Sequence, residues 1–221
     1  MNNQLVSNKS FIFSLLAIFA ILLVTNSAFA QQADEPYRLG VDYDLIDKPD
    51  IDQIVQFSEL ESISNIEIFY WYGCEACFQV EAAIEDYLAN NSHLSLRRTP
   101  LVVRSSWREQ AYLQAMMTQL SEAENLPSTM DIYRQCLTDC SVFSKFESTQ
   151  KWLLSHLEDP STVVIEQELV WQAEKNYRKR ADLFLIRQVP TIIINETYKV
   201  DANQAGTSKR LVEIIDFLLT K

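Results

Sequence analysis

The stretch YWYGCEACFQVE, from Tyr70 to Glu81, carries two cysteines, Cys74 and Cys77, at a point where the spacing of the apolar residues changes. Before it, the residues from Asn65 to Tyr72 are apolar and aromatic almost without a break. Such a run is typical of a strand that is buried on both faces. We therefore predict a buried strand that ends at Gly73 and leads directly into the cysteine pair.

Beyond Cys74 the apolar residues recur with helical spacing. The predicted apolar stripe consists of Cys77, Val80, Ile84, Tyr87 and Leu88. Three acidic residues, Glu81, Glu85 and Asp86, lie mostly off this stripe, and Asn90-Asn91 is expected to end the helix. The cysteine pair thus lies at the N-terminus of a predicted amphipathic helix.

This position has a chemical consequence for the first cysteine. The N–H groups of the first helical turn have no partners within the helix, and the helix dipole places partial positive charge there. Cys74 can therefore ionise near neutral pH, and the thiolate is the form that attacks or leaves in disulfide exchange. We expect Cys74 to be the exposed, reactive sulfur and Cys77, on the apolar stripe, to be its resolving partner.

The cysteine pair has two other interpretations, a zinc site and an inert structural disulfide. A zinc site needs two further ligands, which Cys136 and Cys140 could supply, but nothing in the sequence brings the two pairs together. An inert structural clip would not explain why the pair lies at a helix start after a buried strand. A redox centre is the preferred interpretation, with no metal and no organic cofactor.

The first thirty residues resemble an export signal. Lys9 is their only charged residue, Phe11 to Val24 is apolar, and Ala28-Phe29-Ala30 is a small-residue cleavage site. An uncleaved anchor is the alternative, but the apolar run is short for a span of roughly 20 residues. We predict a cleaved signal over 1–30, a mature start at Gln31, and export to an oxidising compartment, where disulfides persist.

The charge of the chain excludes several partners. Its net charge is −11, and loss of a leader with one Lys and no acidic residue leaves −12. Nucleic acid and anionic lipid are poor partners for so acidic a protein. The basic cluster Tyr177-Arg178-Lys179-Arg180 is interpreted as the solvated face of a helix.

The remaining elements predict an α/β core with an insertion. Leu94–Val103 is expected to be a second strand, Ser106–Leu185 to hold four helices, and Pro160-Ser161 to start the fourth. Two strands, Thr191–Ile194 and Tyr198–Val200, and a helix, Ser208–Leu219, close the chain. A helical block between two halves of a small sheet indicates an insertion and not a second serial domain. The predicted boundaries are 31–104 and 183–221 for the core and 105–182 for the insertion. Trp107, Trp152 and Trp171 are assigned to the core of the insertion.

Three segments together resemble the DsbA family of periplasmic thiol:disulfide oxidoreductases. They are WYGCEACFQVE (71–81), RTPLVVRSSWREQAYLQAMM (98–117) and IRQVPTIIINETYKV (186–200). The resemblance runs over almost the whole mature chain, in order. It implies a thioredoxin fold with a helical insertion and a cis Pro190 that faces the Cys74–Cys77 pair.

The resemblance also implies partners. The Val189-Pro190 loop would pair with an extended segment of a client, and the clients would be exported, unfolded or reduced polypeptides. A quinone-linked membrane protein of the DsbB type would reoxidise the pair. We expect a monomer.

The dipeptide between the cysteines departs from the family pattern. The strongest oxidants of the family carry Pro-His there, whereas this chain carries Glu75-Ala76. Ala76 cannot stabilise a thiolate as histidine does, and the charge of Glu75 opposes one. We therefore expect the pKa of Cys74 to exceed the DsbA value of about 3.5, and the protein to oxidise more weakly.

Two further departures concern the sheet. Relatives often have an acidic residue six positions before the first cysteine, where this chain has Ile68. Its neighbour Glu67 is expected to be a solvated strand residue, because one step along a strand points to the opposite face; the alternative is a local bulge that turns Glu67 inward. Gln188 replaces a frequent glycine, and Asn195-Glu196 replaces Asn-Gly in the hairpin, so that a type I′ turn is not required.

Cys136 and Cys140 have no counterpart in the simplest family pattern. At helical spacing their Cα atoms would lie roughly 6 Å apart, within reach of a disulfide. We predict a structural bridge at the end of a helix.

Together with the resemblance, these observations predict a periplasmic thiol:disulfide oxidoreductase that introduces disulfides into exported proteins by exchange at Cys74–Cys77. One alternative is a weakly oxidising reductase or isomerase, which Glu75-Ala76 favours. The other is a non-catalytic client-binding or chaperone module with the same fold.

Overall fold

The computed structural model describes residues 35–46 and 64–221. Residues Leu39–Lys221 form one compact unit, and the fold given below is that of this unit. The predicted signal over 1–30 and the mature start at Gln31 lie outside the described residues. Within the two described ranges, no helix is long and apolar enough to cross a membrane.

The described residues form one five-stranded sheet in the order β1-β5-β4-β2-β3. Its strands are β1 Asp44–Leu45, β2 Ile66–Tyr70, β3 Leu96–Pro100, β4 Thr191–Ile194 and β5 Tyr198–Asp201. The central strand β2 runs parallel to β3 and antiparallel to β4, and Phe69 pairs with Thr191. All five residues of β2 are buried, as predicted for a strand that is covered on both faces.

Seven α-helices accompany these strands in the described residues. They are α1 Glu75–Ala89, α2 Arg108–Gln119, α3 Thr129–Asp139, α4 Phe146–Leu154, α5 Gln167–Leu183, α6 Ala202–Ala205 and α7 Ser208–Leu219. Helix α1 connects β2 to β3 and packs against α7 and α3, while α2 packs against α5 and α4. The order is β-α-β, a helical insertion, then β-β-α, which is the predicted thioredoxin fold with an inserted helical block.

Element bounds follow the local signals closely at the end of the chain. The prediction for β4 and that for α7 match the observed bounds, because β-branched residues and the Thr207 cap mark them clearly. The fourth inserted helix, in contrast, starts at Gln167 and not at Pro160. Pro160–Thr162 forms a separate 3-10 turn, capped by Asp159, and Val163 returns the chain to an extended conformation.

The prediction that Glu67 is solvated is wrong. Its side chain is 2% exposed, and its two carboxylate oxygens accept hydrogen bonds from Nε of Arg180, at 2.7 and 2.8 Å. Thr99 donates a further hydrogen bond, at 2.5 Å. The physical reason is that α5 covers this side of the sheet, and its residue Arg180 supplies the positive charge that pairs with Glu67.

The same pair corrects the interpretation of the basic cluster in α5. Arg180 is buried, whereas Lys179 is exposed, so the cluster is not one solvated face. Arg180 also donates to Glu196 of the β4–β5 hairpin, at 2.8 Å. Asn195 and Glu196 both have positive φ, 49° and 50°, the region that a type I′ turn uses. The hairpin therefore adopts this geometry without a glycine.

One of the three tryptophans assigned to the core of the insertion lies outside it. Trp171 is 40% exposed, whereas Val170 and Glu174 of the same helix are buried. Trp107 and Trp152 are half-buried. Trp152 packs edge-on against Phe143, with ring centroids 4.9 Å apart.

Candidate active site

The cysteine pair lies at the N-terminus of α1, where the sequence predicts it. Cys74 is the N-cap residue, and its Sγ accepts a hydrogen bond from the backbone N–H of Cys77, at 3.1 Å. The two residues form a disulfide, with their Cα atoms 5.2 Å apart. Cys77 is fully buried, Cys74 is half-buried, and Glu75 and Ala76 between them are exposed. An incoming sulfur therefore has access to Cys74 and not to Cys77.

A tight turn joins β2 to the pair. The N–H of Cys74 donates to the carbonyl of Trp71, at 3.1 Å. The indole of Trp71 stacks on that of Trp107, with centroids 4.5 Å apart and planes 8° from parallel. A Cβ at Gly73 would lie 2.7 Å from Cη2 of Trp71. The turn thus needs glycine at position 73 because the neighbouring indole folds over it.

Helix α2 holds the end of β2 with two amide side chains one turn apart. Oε1 of Gln110 accepts from the backbone N–H of Tyr72, at 3.0 Å. Oε1 of Gln114 accepts from the hydroxyls of Tyr70 and Tyr72, at 2.7 and 3.1 Å. Burial raises the pKa of Tyr72, which keeps its hydroxyl a donor. Tyr72 is 1% exposed, so it belongs to the core and does not form a rim for substrate.

The loop before β4 carries the second predicted element of the site. The Val189–Pro190 peptide bond is cis, as the resemblance implies. Since Thr191 pairs with Phe69, Pro190 lies beside the end of β2, just ahead of the cysteine turn. The carbonyl of Pro190 accepts from the N–H of Ala202, at 3.3 Å. Nε2 of Gln188 donates to Asp201, so β5 and α6 hold the loop from both ends.

Sequence reasoning missed a buried carboxyl group below the pair. Glu81 is 0% exposed, although it was placed mostly off the apolar stripe. Arg98 of β3 donates to its Oε1 from Nη2 and Nε, at 2.6 and 2.7 Å. Its Oε2 is buried without a hydrogen-bond partner among the described residues. The available signal was the spacing: Glu81 lies four residues after Cys77 and therefore on the same helical face.

The environment of Glu81 changes its acidity. Burial raises the pKa of this carboxyl, and the Arg98 guanidinium only partly offsets the effect. The position six before Cys74 is filled by Ile68, which is fully buried and has no acidic group. Glu81 is therefore the carboxyl that α1 itself supplies on the face of Cys77.

A small pocket of about 200 Å³ opens beside the exposed Ala76. Helix α1 forms one wall with Ala76, Gln79 and Val80. The other wall comes from α6, α7 and the turn between them: Ala202, Asn203, Gly206, Thr207, Ser208 and Leu211. The pocket adjoins the cysteine pair and mixes apolar and hydrogen-bonding groups.

The second cysteine pair forms a separate disulfide at the end of α3. The Cα atoms of Cys136 and Cys140 are 3.9 Å apart, closer than the 6 Å expected from helical spacing. The helix ends at Asp139, whose backbone is extended (φ −153°, ψ 103°), and a 3-10 turn, Cys140–Phe143, follows. The two cysteines are therefore not related by regular helical geometry. Within the described residues, no group of three or more His, Cys, Asp or Glu side chains could hold a metal ion.

Comparisons with known proteins give a consistent result. No family model matches the chain. A curated relative named thiol:disulfide interchange protein DsbA, from Pseudomonas syringae pv. tomato, is 24% identical over 92% of this chain and 94% of its own length.

Two solved structures share the fold. The complex of oxidized PaDsbA1 with a substituted triazol-4-amine has a TM-score of 0.68 and 16% identity, over 84% of this chain and 95% of that one. The second is a Cys-to-Ser variant of DsbA from Proteus mirabilis with a non-covalently bound peptide, PWATCDS. It has a TM-score of 0.64 and 13% identity, over 85% of this chain and 100% of that one.

Proposed function

We infer that this chain is a member of the DsbA family of thiol:disulfide oxidoreductases, and we propose that it introduces disulfides into exported polypeptides through Cys74 and Cys77. The observation that carries this proposal is the position of Cys74. Its sulfur caps α1 and accepts the N–H of Cys77, while Cys77 itself is fully buried. The sulfur of Cys74 is thus accessible to a client thiolate, whereas the buried sulfur of Cys77 can attack only the mixed disulfide at Cys74, in the reverse reaction.

The reaction starts from the oxidised pair. A client thiolate attacks Sγ of Cys74, the Cys74–Cys77 bond breaks, and Cys77 leaves as a thiolate and takes up a proton. A second client thiolate then attacks the client sulfur of the mixed disulfide. The client gains a disulfide, Cys74 is released as a thiolate, and two electrons remain on the reduced pair.

The start of α1 favours the release of Cys74. The N–H of Cys77 that Sγ already accepts is one of the unpaired donors of the first turn. The same donor and the helix dipole stabilise the negative charge when the sulfur leaves. In the reverse reaction Cys77 attacks the mixed disulfide and frees the client.

We assign the proton exchange of Cys77 to Glu81. The two side chains share the buried face of α1, and the raised pKa of Glu81 keeps a proton available at higher pH than for a solvated carboxyl. Ile68 cannot take this role. Arg98 holds one oxygen of Glu81 and leaves Oε2 for the proton.

A client segment would lie along Val189-Pro190. Pro190 has no N–H that could compete for the sulfurs, and the register of β4 with β2 places it beside the end of β2. The pocket beside Ala76 would take one client side chain. That the DsbA of Proteus mirabilis was solved with a peptide supports an extended polypeptide as the client.

The cellular setting is part of the proposal. A periplasmic location fits the predicted signal, the acidic charge and the two disulfides. Each turnover leaves the pair reduced, so an oxidant must restore the disulfide, and we propose a membrane protein of the DsbB type for this step. We propose that the protein acts as a monomer.

The test is disulfide exchange with a defined client. The oxidised protein is mixed with a reduced two-cysteine peptide, and peptide oxidation is followed by mass spectrometry; insulin reduction is measured in parallel. Cys74→Ser should abolish both activities. Cys77→Ser, incubated instead with the oxidised peptide or with insulin, should accumulate a mixed disulfide, because Cys74 attacks the client disulfide and no Cys77 thiolate resolves the product. Full activity in Cys74→Ser would refute the redox proposal, and client binding without exchange by the wild-type protein would support the chaperone alternative.

A further inference from the structure

One buried side chain connects the active-site turn to the second disulfide. Gln110 is 3% exposed, and both the oxygen and the nitrogen of its side-chain amide form hydrogen bonds. Oε1 accepts the backbone N–H of Tyr72, at 3.0 Å, and Nε2 donates to Sγ of Cys140, at 3.1 Å. Tyr72 lies two residues before Cys74, and Cys140 is bonded to Cys136.

The position of Gln110 distinguishes it from its neighbour on α2. Gln114, one turn later, binds the tyrosine hydroxyls of β2 and does not contact the backbone of the turn. Gln110 accepts from the backbone N–H of Tyr72. Tyr72 lies between Trp71, whose carbonyl accepts from the N–H of Cys74, and Gly73. A displacement of the Gln110 amide therefore moves the peptide that leads into Cys74.

The sulfur of Cys140 orients this amide. A glutamine side chain can rotate its amide group by half a turn, and the hydrogen bonds of each end decide which orientation is populated. The donor end needs an acceptor in a buried place, and Sγ of Cys140 is that acceptor. The disulfide to Cys136 holds this sulfur at the end of α3, whose Tyr133 packs against Phe78 of α1, at 6.0 Å between centroids.

We propose that Gln110 is a positioning residue for Cys74 and that the intact Cys136–Cys140 disulfide sets its orientation. The second disulfide would then tune the redox equilibrium of the first. This inference rests on the proposed function only in taking Cys74–Cys77 as the redox-active pair.

The geometry gives the direction of the effect. In the oxidised protein the covalent bond to Cys77 keeps Sγ of Cys74 near the first-turn donors. In the reduced protein the turn alone keeps it there. A loosened turn therefore costs the reduced form more than the oxidised form, and the equilibrium moves towards the disulfide.

The experiment is a double-mutant cycle on the equilibrium with glutathione. The full mature chain is used with Gln110→Leu, with Cys136→Ala/Cys140→Ala, and with both changes together. Alkylation and mass spectrometry report the state of Cys74–Cys77 separately from that of Cys136–Cys140, at glutathione ratios where the second pair stays oxidised. Gln119→Leu is the matched control, because its amide bridges the backbone of Glu166 and not the active site.

We expect Gln110→Leu and the cysteine double variant each to raise the equilibrium constant for oxidation of Cys74–Cys77 by about threefold or more, and the combination to add little beyond either change. Gln119→Leu should leave it unchanged. Independent, multiplying effects, or no change with Gln110→Leu, would overturn the inference. Gln110→Met replaces the leucine variant if that one does not fold. The equilibrium is measurable whether or not clients are turned over, so failure of the proposed function is recognised separately in the peptide assay.

Discussion

The indole of Trp71 lies in parallel contact with that of Trp107, with ring centroids 4.5 Å apart. The two residues belong to different parts of the fold, since Trp71 directly follows β2 and Trp107 directly precedes α2. Their stack fixes the Trp71 ring over Gly73 and so determines the path of the chain into Cys74. The helical insertion thereby shapes the active-site turn directly.

Gly73→Ala should destabilise the protein by about 1–3 kcal/mol, because the new methyl group would meet the Trp71 ring in a packed environment. The free energy of unfolding is measured in urea for this variant and for Gly73→Ala in a Trp71→Leu background. The loss of unfolding free energy caused by Gly73→Ala should be much smaller in that background, where the indole is absent, than in the wild-type protein. An equal cost in both backgrounds would mean that the backbone, and not the ring, requires glycine.

Arg180→Leu should destabilise the protein by about 3–5 kcal/mol, because it leaves the buried Glu67 carboxylate without its cation. The matched control is Arg187→Leu, which breaks an ion pair with Asp182 whose side chains are 61% and 71% exposed. That change should cost no more than about 1 kcal/mol. Similar losses in both urea titrations would show that the burial of the Glu67 pair has no energetic consequence.

Glu81→Gln should alter how stability depends on pH. Burial raises the pKa of Glu81 above 4.5, so its contribution to stability is fully present below about pH 4.5 and is lost as pH rises through the folded-state pKa. The wild-type free energy of unfolding, relative to that of Glu81→Gln, should therefore fall with rising pH. The slope cannot exceed about 1.4 kcal/mol per pH unit for one proton.

Asp131→Asn provides a control of opposite sign for this measurement. Hydrogen bonds from Ser128 lower the pKa of Asp131 below 3.8, so its contribution is present above about pH 3.8 and is lost as pH falls. Unfolding is followed in urea between pH 3 and pH 8 for all three proteins. A wild-type advantage over Glu81→Gln that grows with pH would contradict the assignment of Glu81 as a buried carboxyl of raised pKa.

The double substitution Glu75→Pro/Ala76→His should make the Cys74–Cys77 pair more oxidising. Histidine stabilises the thiolate of the reduced form, and removal of the Glu75 charge has the same effect. The midpoint in glutathione buffers should move towards the value of about −120 mV given for DsbA. Both residues are exposed, so stability should change little. An unchanged midpoint would show that the surrounding structure, and not the dipeptide, sets the potential.

The wild-type midpoint also distinguishes the two enzymatic alternatives. A value near −120 mV would make the protein an oxidase despite its dipeptide, whereas about −250 mV or lower would favour reduction. This midpoint is measured with both pairs present, with the state of Cys74–Cys77 read by alkylation and mass spectrometry, and the measurement is repeated in the Cys136→Ala/Cys140→Ala background. The two values differ if the second disulfide tunes the first.

The sequence alone was sufficient for features that short segments encode. The end of the buried strand, the start of α1 at Cys74, β4 and α7 all depend on neighbouring residues: an apolar run, a cap, a β-branched run, an amphipathic repeat. The order of these segments predicted an α/β core with a helical insertion, and the resemblance of three of them to the DsbA family predicted the thioredoxin fold and the oxidoreductase function. The local pairing of Cys136 with Cys140 is also a property of a five-residue stretch.

The tertiary structure decided where the charged and amide groups lie. Glu67 and Arg180 are 113 residues apart, and each was expected to be solvated because nothing near it in the chain supplies a partner. Glu81 and Gln110 are buried for the same reason: Arg98 and Cys140 meet them only after β3 and α3 have packed. A charge or an amide is stable in the interior only when a distant partner satisfies it, and that partner is a property of the packing and not of the local sequence.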